Sequence, residues 1–188
     1  MISALVTDFY ELTMMQGYFR QHHNPRVVFD MFYRTNPFNG GYTIFTGLEE
    51  LVTILENFRF SEEDINYLRS LGKFQESFLE YLASYRFTGD LYAFDEGTPA
   101  FPQEPLIRVE TNMLDAQLIE SVLLNTINFQ TLIATKASRM KLATKSHGSI
   151  MEFGLRRAQG MDGALSASRA CYIGGADVTS NTLAGKEF

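Results

Sequence analysis

The chain has 188 residues, 45% of them hydrophobic and 20% charged, a composition typical of a packed globular protein and not of a disordered one. The net charge of −6 argues against duplex nucleic acid as a partner, because proteins that bind it usually carry a basic patch. The single cysteine excludes an internal disulfide, and neither a signal-peptide pattern nor an apolar run of ~20 residues occurs. We therefore expect a soluble, cytoplasmic protein without a membrane partner.

The first half of the chain is predicted to mix helices and strands. The spacing of apolar residues and the turn chemistry predict a helix over 3–22, strands over 26–35 and 42–45 around a turn at 36–41, and helices over 48–57, 62–70 and 74–85. Thr7 or Ser3 is expected to cap the first helix. Ser61 is expected to cap the helix over 62–70, with Asp64 at its third position.

The second half is predicted to begin with a long helix. Strands over 90–94 and 106–109 flank a link over 97–105, where three prolines exclude a helix. This strand pair closes a predicted N-terminal α+β domain of residues 1–112. Helical spacing from 114 to about 145 then leads into a strand at Ile150, and these elements form the second predicted domain, 113–188.

The run from Ile150 to Gly185 has the composition of an anion-binding loop. A strand-like stretch stops at Gly154, and Arg156 and Arg157 follow at once. Arginine grips phosphate oxygens in pairs through its planar fork of donors, and glycines let backbone amides approach closely. Hydroxyls and amides at residues 179–181 would complete the cradle at a helix N-terminus. The alternative is a solvated arginine pair beside a flexible loop.

Seven stretches of the chain, in order, carry a family resemblance. They are Thr7-Asp-Phe-Tyr-Glu-Leu-Thr-Met, Asn36-Pro-Phe-Asn-Gly-Gly-Tyr, Phe45-Thr-Gly-Leu-Glu-Glu, Gly97-Thr-Pro-Ala-Phe-Pro-Gln-Glu-Pro-Leu, Asn125-Thr-Ile-Asn-Phe-Gln-Thr-Leu-Ile-Ala-Thr-Lys, Glu152-Phe-Gly-Leu-Arg-Arg-Ala-Gln-Gly and Ser166-Ala-Ser-Arg-Ala. Together they resemble nicotinate phosphoribosyltransferase, the salvage enzyme that joins nicotinic acid to phosphoribosyl pyrophosphate. One short motif has a real false-positive rate, but seven in the family's order are specific.

The resemblance implies a fold of the α/β class. An α+β N-terminal domain would be followed by the beginning of an irregular α/β barrel of the type II phosphoribosyltransferase kind. A (β/α)8 barrel typically needs ~250 residues, so we expect this chain to be truncated within its barrel. The family's catalytic histidine, which is phosphorylated during the ATP-coupled cycle, is expected beyond Phe188. On this expectation the chain alone is inactive.

The resemblance also implies a reaction. The intact enzyme would form nicotinate mononucleotide and pyrophosphate from nicotinate and phosphoribosyl pyrophosphate in NAD salvage, with Mg²⁺ as cofactor and ATP as co-substrate. A homodimer with composite sites is expected. Two alternatives stay open: the chain is a non-catalytic subunit or interaction fragment that pairs with another chain, or its substrate is nicotinamide or quinolinate.

Four residues are the main site candidates that the resemblance implies. Tyr10 matches the family tyrosine that stacks on the nicotinate ring from a neighbouring subunit, and Phe153 matches its partner on the opposite ring face. As alternatives, each is a core aromatic residue. Arg156 and Arg157 match the family's arginine pair, and we expect one ligand contact and one structural salt bridge, with Arg156 favoured for phosphate. The sequence leaves open which arginine points inward.

The resemblance implies four lesser candidates. Ser168 and Arg169 either bind substrate or cap and brace the loop. Asp177 and Thr179 lie where the next barrel strand should end, a suitable place for ribose or Mg²⁺-linked contacts, although an Asx turn explains Asp177 nearly as well.

Other reactive side chains carry weaker signals. No protein-built metal site is predicted, because His22 and His23 are adjacent and His147 lies far along the sequence in a predicted loop. Cys171 is expected to be a small buried apolar residue. The paired glutamates at 49–50 and 62–63 are expected to be solvated charges.

Overall fold

The computed structural model describes residues 2–145 and 148–188. The chain forms two compact units, each built from three segments: unit 1 comprises Met1–Asp30, Glu49–Tyr92 and Ile107–Asn125, and unit 2 comprises Met31–Leu48, Ala93–Leu106 and Thr126–Phe188. The units are therefore interleaved along the sequence, and a domain division at residue 112 stays a prediction. His147 lies outside the described residues.

The elements mix helices and strands, which confirms the predicted α/β class. In chain order they are α1 (Phe9–Arg20), β1 (Arg26–Met31), a 3₁₀ turn (Pro37–Asn39), β2 (Thr43–Ile44), α2 (Leu48–Glu56), α3 (Glu62–Ser70), α4 (Glu76–Ala83), β3 (Asp90–Ala93), β4 (Pro99–Ala100), β5 (Ile107–Asn112), α5 (Met113–Ala143), β6 (Met151–Glu152), a second 3₁₀ turn (Leu155–Arg157), α6 (Met161–Ile173), β7 (Val178–Thr179) and α7 (Ala184–Glu187). None of the helices in the described part of the chain is long and apolar enough to cross a membrane.

Unit 1 contains α1, α3 and α4 and nearly all of a three-stranded sheet with the order β1-β5-β3. Its helices pack through buried apolar side chains, among them Leu68, Phe78 and Leu82. The predicted start of α3 is confirmed, because Ser61 Oγ accepts from the Asp64 amide at 3.1 Å and the Asp64 carboxylate accepts from the Ser61 amide at 2.8 Å. This capping box fixes the first turn from both sides.

The predicted start of α1 is wrong. The helix begins at Phe9 with Asp8 as its N-cap residue, not at Ser3 or Thr7. The hydroxyls of those two residues are engaged elsewhere: Ser3 donates to the Asp64 carboxylate at 2.9 Å, and Thr7 donates to the Glu11 carboxylate. Ser3 thus has a tertiary partner on α3, whereas Thr7 binds a residue of the first turn of α1.

Unit 2 is organised around the second half of α5. The β2 strand docks on this helix through threonines: Thr135 Oγ1 accepts from the Ile44 amide at 2.9 Å, and Thr131 Oγ1 accepts from the Thr46 amide at 3.2 Å. On its other side β2 pairs antiparallel with β4, a short strand inside the proline-rich link that was not predicted. Ile44 packs with two small helix residues, Ala134 of α5 and Ala170 of α6, and these close contacts form a buried cluster.

The segment 161–173 is helix α6, whereas the sequence interpretation treated its Ser168-Arg169 stretch as part of a loop, and that prediction is wrong. Gly160, with φ of +88°, precedes the helix, and Gly174 caps its C-terminus. Six of the thirteen residues of α6 are good helix formers, namely Met161, Ala164, Leu165, Ala167, Arg169 and Ala170. The glycines that suggested a continuous loop therefore mark the two ends of a helix.

Candidate functional site

The candidate site lies where β6 and β7 end. The two strands are parallel neighbours, with Met151 opposite Val178 and Glu152 opposite Thr179, so the residues that follow both strands emerge at the same edge. In parallel α/β sheets this carboxyl edge is where ligands bind. The turn after β6 carries Phe153, Arg156 and Arg157.

The arginine pair is held in a single 3₁₀ turn, which closes when the Arg157 amide donates to the Gly154 carbonyl at 2.8 Å. Both arginine side chains are exposed. Neither forms an ion pair with any residue of 2–145 or 148–188, so the expected structural salt bridge is absent from the described chain. Two guanidinium groups that have no carboxylate partner among the described residues therefore follow β6 directly.

The two aromatic candidates are exposed, one in each unit. Phe153 follows β6 in unit 2 and is 58% exposed, and Tyr10 lies on α1 in unit 1 and is 50% exposed. Neither is a core residue, as the alternative interpretation would have it. The pKa of Tyr10 lies above its ordinary value, chiefly because the Glu120 carboxylate opposes a second negative charge nearby. The phenol therefore stays protonated at neutral pH.

Glu152 is the centre of a hydrogen-bond network that the sequence interpretation missed. Its Oε2 accepts from the Thr179 hydroxyl at 2.6 Å and from the Ser168 hydroxyl at 2.9 Å, and its Oε1 accepts from the Gly154 amide. Burial raises the pKa of Glu152, but the bonds from Thr179, Gly154 and Ser168 outweigh it and hold that pKa below its ordinary value. Ser168 and Thr179 are thus brought together, and both bind a protein carboxylate.

The residues after β7 also form hydrogen bonds within the protein. Asn181 is buried, its side-chain amide lies 3.4 Å from the Ala164 carbonyl, and its side-chain oxygen accepts from the Ala184 amide at 3.3 Å. The helix that follows, α7, has only four residues. The predicted phosphate cradle of residues 179–181 at a helix N-terminus is therefore not formed as expected.

Asp177 lies at the opposite edge of the strand pair, just before β7. Its carboxylate contacts Lys141 Nζ at 2.8 Å and accepts from the Ile150 amide at 2.8 Å. The Lys141 ammonium, followed by the bond from the Ile150 amide, lowers the pKa of Asp177. This carboxylate ties α5 to the start of β6, so neither an Asx turn nor a ligand is needed to explain it.

Arg169 is paired with Glu96, a residue that sequence reasoning missed. Glu96 also accepts from the backbone amides of Gly47 and Leu48, the latter at 3.0 Å. Burial raises the pKa of Glu96, yet the hydrogen bonds from Arg169 and the two amides, with the guanidinium charge, bring it below its ordinary value. The bracing role that was considered for Arg169 is the one that this structure contains.

The described residues do not assemble a metal site of their own: no three His, Cys, Asp or Glu side chains converge in residues 2–145 and 148–188. His22 and His23 are exposed at the end of α1. Cys171 is half-buried on α6, somewhat less enclosed than predicted.

The charge is unevenly divided between the two units. Unit 2 holds nine Lys and Arg residues against seven Asp and Glu, whereas unit 1 holds seven against fifteen. The net negative charge of the chain therefore comes from unit 1. The net charge of unit 2 is positive, which suits an anionic ligand.

The fold is similar to that of solved enzymes. The structure superimposes on the crystal structure of human nicotinic acid phosphoribosyltransferase with a TM-score of 0.90 and 37% identity, covering 96% of this chain and 37% of that one. It also matches nicotinate-nucleotide pyrophosphorylase from Pyrococcus furiosus, with a TM-score of 0.77 and 25% identity, over 96% of this chain and 39% of that chain. The architecture is that of the N-terminal part of a type II phosphoribosyltransferase.

The sequence comparisons give the family. Residues 5–128 match the model of the nicotinate phosphoribosyltransferase (NAPRTase) N-terminal domain, and the chain belongs to this family. It is 45% identical to nicotinate phosphoribosyltransferase 2 of Arabidopsis thaliana over 100% of this chain and 34% of that protein. It is 46% identical to nicotinate phosphoribosyltransferase of Bacillus subtilis over 98% of this chain and 38% of that protein. The chain thus spans little more than a third of the length of these relatives.

Proposed function

We propose that this chain provides the N-terminal part of a nicotinate phosphoribosyltransferase, which joins nicotinate to phosphoribosyl pyrophosphate in NAD salvage. The observation that carries the proposal is the turn after β6, where exposed Phe153 is followed by two exposed arginines that form no ion pair with the described residues. An aromatic face suits the pyridine ring, and guanidinium groups suit phosphate. Membership of the nicotinate phosphoribosyltransferase family supports substrates that combine these two chemistries.

In the proposed reaction the pyridine nitrogen forms a bond to the anomeric carbon while the bond from that carbon to pyrophosphate breaks. The departing group is a polyanion, so Arg156 and Arg157 would stabilise it more as its charge develops. Phe153 would hold the pyridine ring in line for attack, with Tyr10 from a second subunit of a homodimer on its opposite face. The family resemblance also implies a catalytic histidine and coupling to ATP hydrolysis.

We propose that Mg²⁺ enters with the pyrophosphate group. The described residues supply no cluster of three metal-binding side chains, and the carboxylates of Glu152 and Asp177 are already hydrogen-bonded within the protein. The ion would therefore be a counterion of the substrate. A cytoplasmic location is the matching proposal for a salvage enzyme that uses ATP.

Calorimetry of phosphoribosyl pyrophosphate with the 188-residue chain, with and without Mg²⁺, tests the proposal. Arg156→Ala and Arg157→Ala should each weaken binding about tenfold, because each removes a charge-assisted contact. Arg20→Ala is a matched control, since it removes an exposed charge from the last turn of α1. Saturable binding that neither site variant weakens, or that Arg20→Ala weakens as strongly, would contradict the proposed phosphate contacts.

Competition and turnover measurements separate the alternatives. Nicotinate should compete with a labelled pyridine better than nicotinamide or quinolinate does if the substrate assignment is right. Formation of nicotinate mononucleotide, measured with and without ATP, tests catalysis by the chain itself. Binding without turnover, together with a solution mass above that of one chain, would favour a subunit that works with a partner.

A further inference from the structure

We propose that Glu152 is a positioning residue: it holds the turn 153–157 in the shape that presents Phe153 and the arginine pair to substrate. This inference rests on the proposed function, because it concerns the same phosphate and pyridine contacts. Glu152 itself would touch no substrate atom, since its carboxylate is directed to protein donors.

The geometry of the carboxylate supports this role. One oxygen accepts from the hydroxyls of Thr179 on β7 and Ser168 on α6, at 2.6 and 2.9 Å, and the other accepts from the Gly154 amide within the turn. The main-chain carbonyl of Glu152 also accepts from the Ser180 amide at 2.9 Å. A single residue therefore connects β7, α6 and the first peptide of the turn.

Gly154 fits this arrangement because it has no side chain. A Cβ atom added there would lie 2.7 Å from Glu152 Oε1, closer than such contacts occur. Gly154 has φ of −82° and ψ of −11°, which any residue can adopt, so backbone conformation does not require glycine here. The carboxylate takes the space that a Cβ atom would need, so a side chain at position 154 would displace the carboxylate from its place against the Gly154 amide.

The charge of Glu152 also indicates a positioning role. A carboxylate near an anion-binding turn opposes phosphate, so its charge is no help to the proposed ligand. Within the described chain its partners are two hydroxyls and an amide, and it forms no ion pair. Its contribution must then come from the direction of its hydrogen bonds, which a neutral amide of the same length can largely reproduce.

The test compares Glu152→Gln with Glu152→Ala in the 188-residue chain. Glutamine can still accept from the Gly154 amide and can donate to the oxygen of Ser168 or Thr179, whereas alanine makes none of these bonds. Asp115→Asn is the matched control, because Asp115 likewise accepts from two threonine hydroxyls, those of Thr88 and Thr111, but lies in unit 1. Two readouts are used: hydrogen exchange at the amides of Gly154 and Arg157, and the affinity for phosphoribosyl pyrophosphate with Mg²⁺.

For Glu152→Ala we expect exchange at both amides to become about tenfold faster and the affinity to fall about tenfold, since the hydrogen bond that holds the turn is lost. Glu152→Gln should stay within about threefold of the parent in both readouts, and Asp115→Asn should change neither. Gly154→Ala keeps the glutamate but displaces its carboxylate, so it should reproduce the loss and serves as a second variant if Glu152→Ala does not fold.

Unchanged exchange and affinity in Glu152→Ala and Gly154→Ala would overturn the proposal. So would a Glu152→Gln variant as impaired as the alanine variant, because that would assign the effect to charge. If the parent chain does not bind phosphoribosyl pyrophosphate, the proposed function fails for the isolated chain, and the exchange rates still decide whether Glu152 holds the turn.

Discussion

The guanidinium of Arg169 lies 2.6 Å from a carboxylate oxygen of Glu96, and the two side chains are only 12% and 17% exposed. A second guanidinium nitrogen lies 3.0 Å from the other carboxylate oxygen, so the contact is bidentate. Since Glu96 also accepts from the Gly47 and Leu48 amides, the pair fixes α6 to the loop that follows β2. Removing one partner of a buried ion pair lowers stability strongly, because the other partner is left as an uncompensated buried charge.

Arg169→Met should therefore destabilise the chain by about 3–5 kcal/mol. Urea unfolding followed by circular dichroism measures the difference. The double variant Arg169→Met/Glu96→Gln should recover part of the loss, because it removes the uncompensated charge. A loss below about 1 kcal/mol for Arg169→Met would mean that the pair behaves as a solvated surface contact.

Stability should fall in acid because of Glu96. Its folded pKa lies below the ordinary value of 4.5, so the ionised carboxylate stabilises the fold at pH values above 4.5. That contribution is lost as the pH falls from 4.5 through the lowered pKa. In Glu96→Gln the free energy of unfolding should depend less steeply on pH over this window, as measured by urea titrations at several pH values. An equal slope in the two proteins would contradict the assignment.

Local sequence chemistry was enough to predict some elements. The capping box at Ser61 involves only residues three apart, and its helix was predicted from Glu62 to Ser70, as observed. The order of strand, arginine pair and second strand was also read correctly, and β6 and β7 are neighbours. These features depend on contacts within a few residues or on chain order.

The residues that hold the site were not predictable in this way. Glu152 binds Thr179, which is 27 positions away, and Glu96 binds Arg169, which is 73 positions away. Nothing near either glutamate in the sequence indicates these partners. Helix α6 was missed for the opposite reason, because local glycines were taken as loop residues although the tertiary fold places them at the helix ends.

Gly174 should not tolerate a side chain. An added Cβ would lie 2.3 Å from the Ala134 carbonyl oxygen and 2.8 Å from the Ala137 Cβ, both on α5. Gly174→Ala should therefore destabilise unit 2 by about 1–3 kcal/mol through overpacking. Gly163→Ala is the control. Gly163 lies inside α6, and a Cβ atom there would meet only Phe129, at 3.8 Å. It should be neutral or stabilising by up to about 1 kcal/mol in thermal unfolding. Equal losses in both variants would refute the close-packing argument.

Asp115 should give a pH dependence of opposite sign to that of Glu96. Burial raises the pKa of Asp115 above 3.8, although bonds from Thr111, Thr88 and Asn112 oppose the rise. Between 3.8 and the raised pKa the folded chain binds more protons than the unfolded chain, so stability falls as pH rises. Asp115→Asn should lose that slope, and its deficit relative to the parent should shrink across the window in urea titrations. A deficit that grows with pH would contradict this account.

Cys171 should react slowly with thiol reagents at neutral pH. Burial first, and then the nearby Glu152 carboxylate, raises the pKa of Cys171 to about 11. Because the thiolate is the reactive form, a fraction on the order of 10⁻³ would be available at pH 8. The rate of labelling by Ellman's reagent should rise with pH up to about 11.

In Glu152→Gln the pH profile of Cys171 labelling should move to lower pH, since the opposing charge is removed, whereas Asp115→Asn should leave it unchanged. Labelling at pH 8 as fast as that of a free thiol, or an unshifted profile in Glu152→Gln, would show that this carboxylate does not act on the thiol.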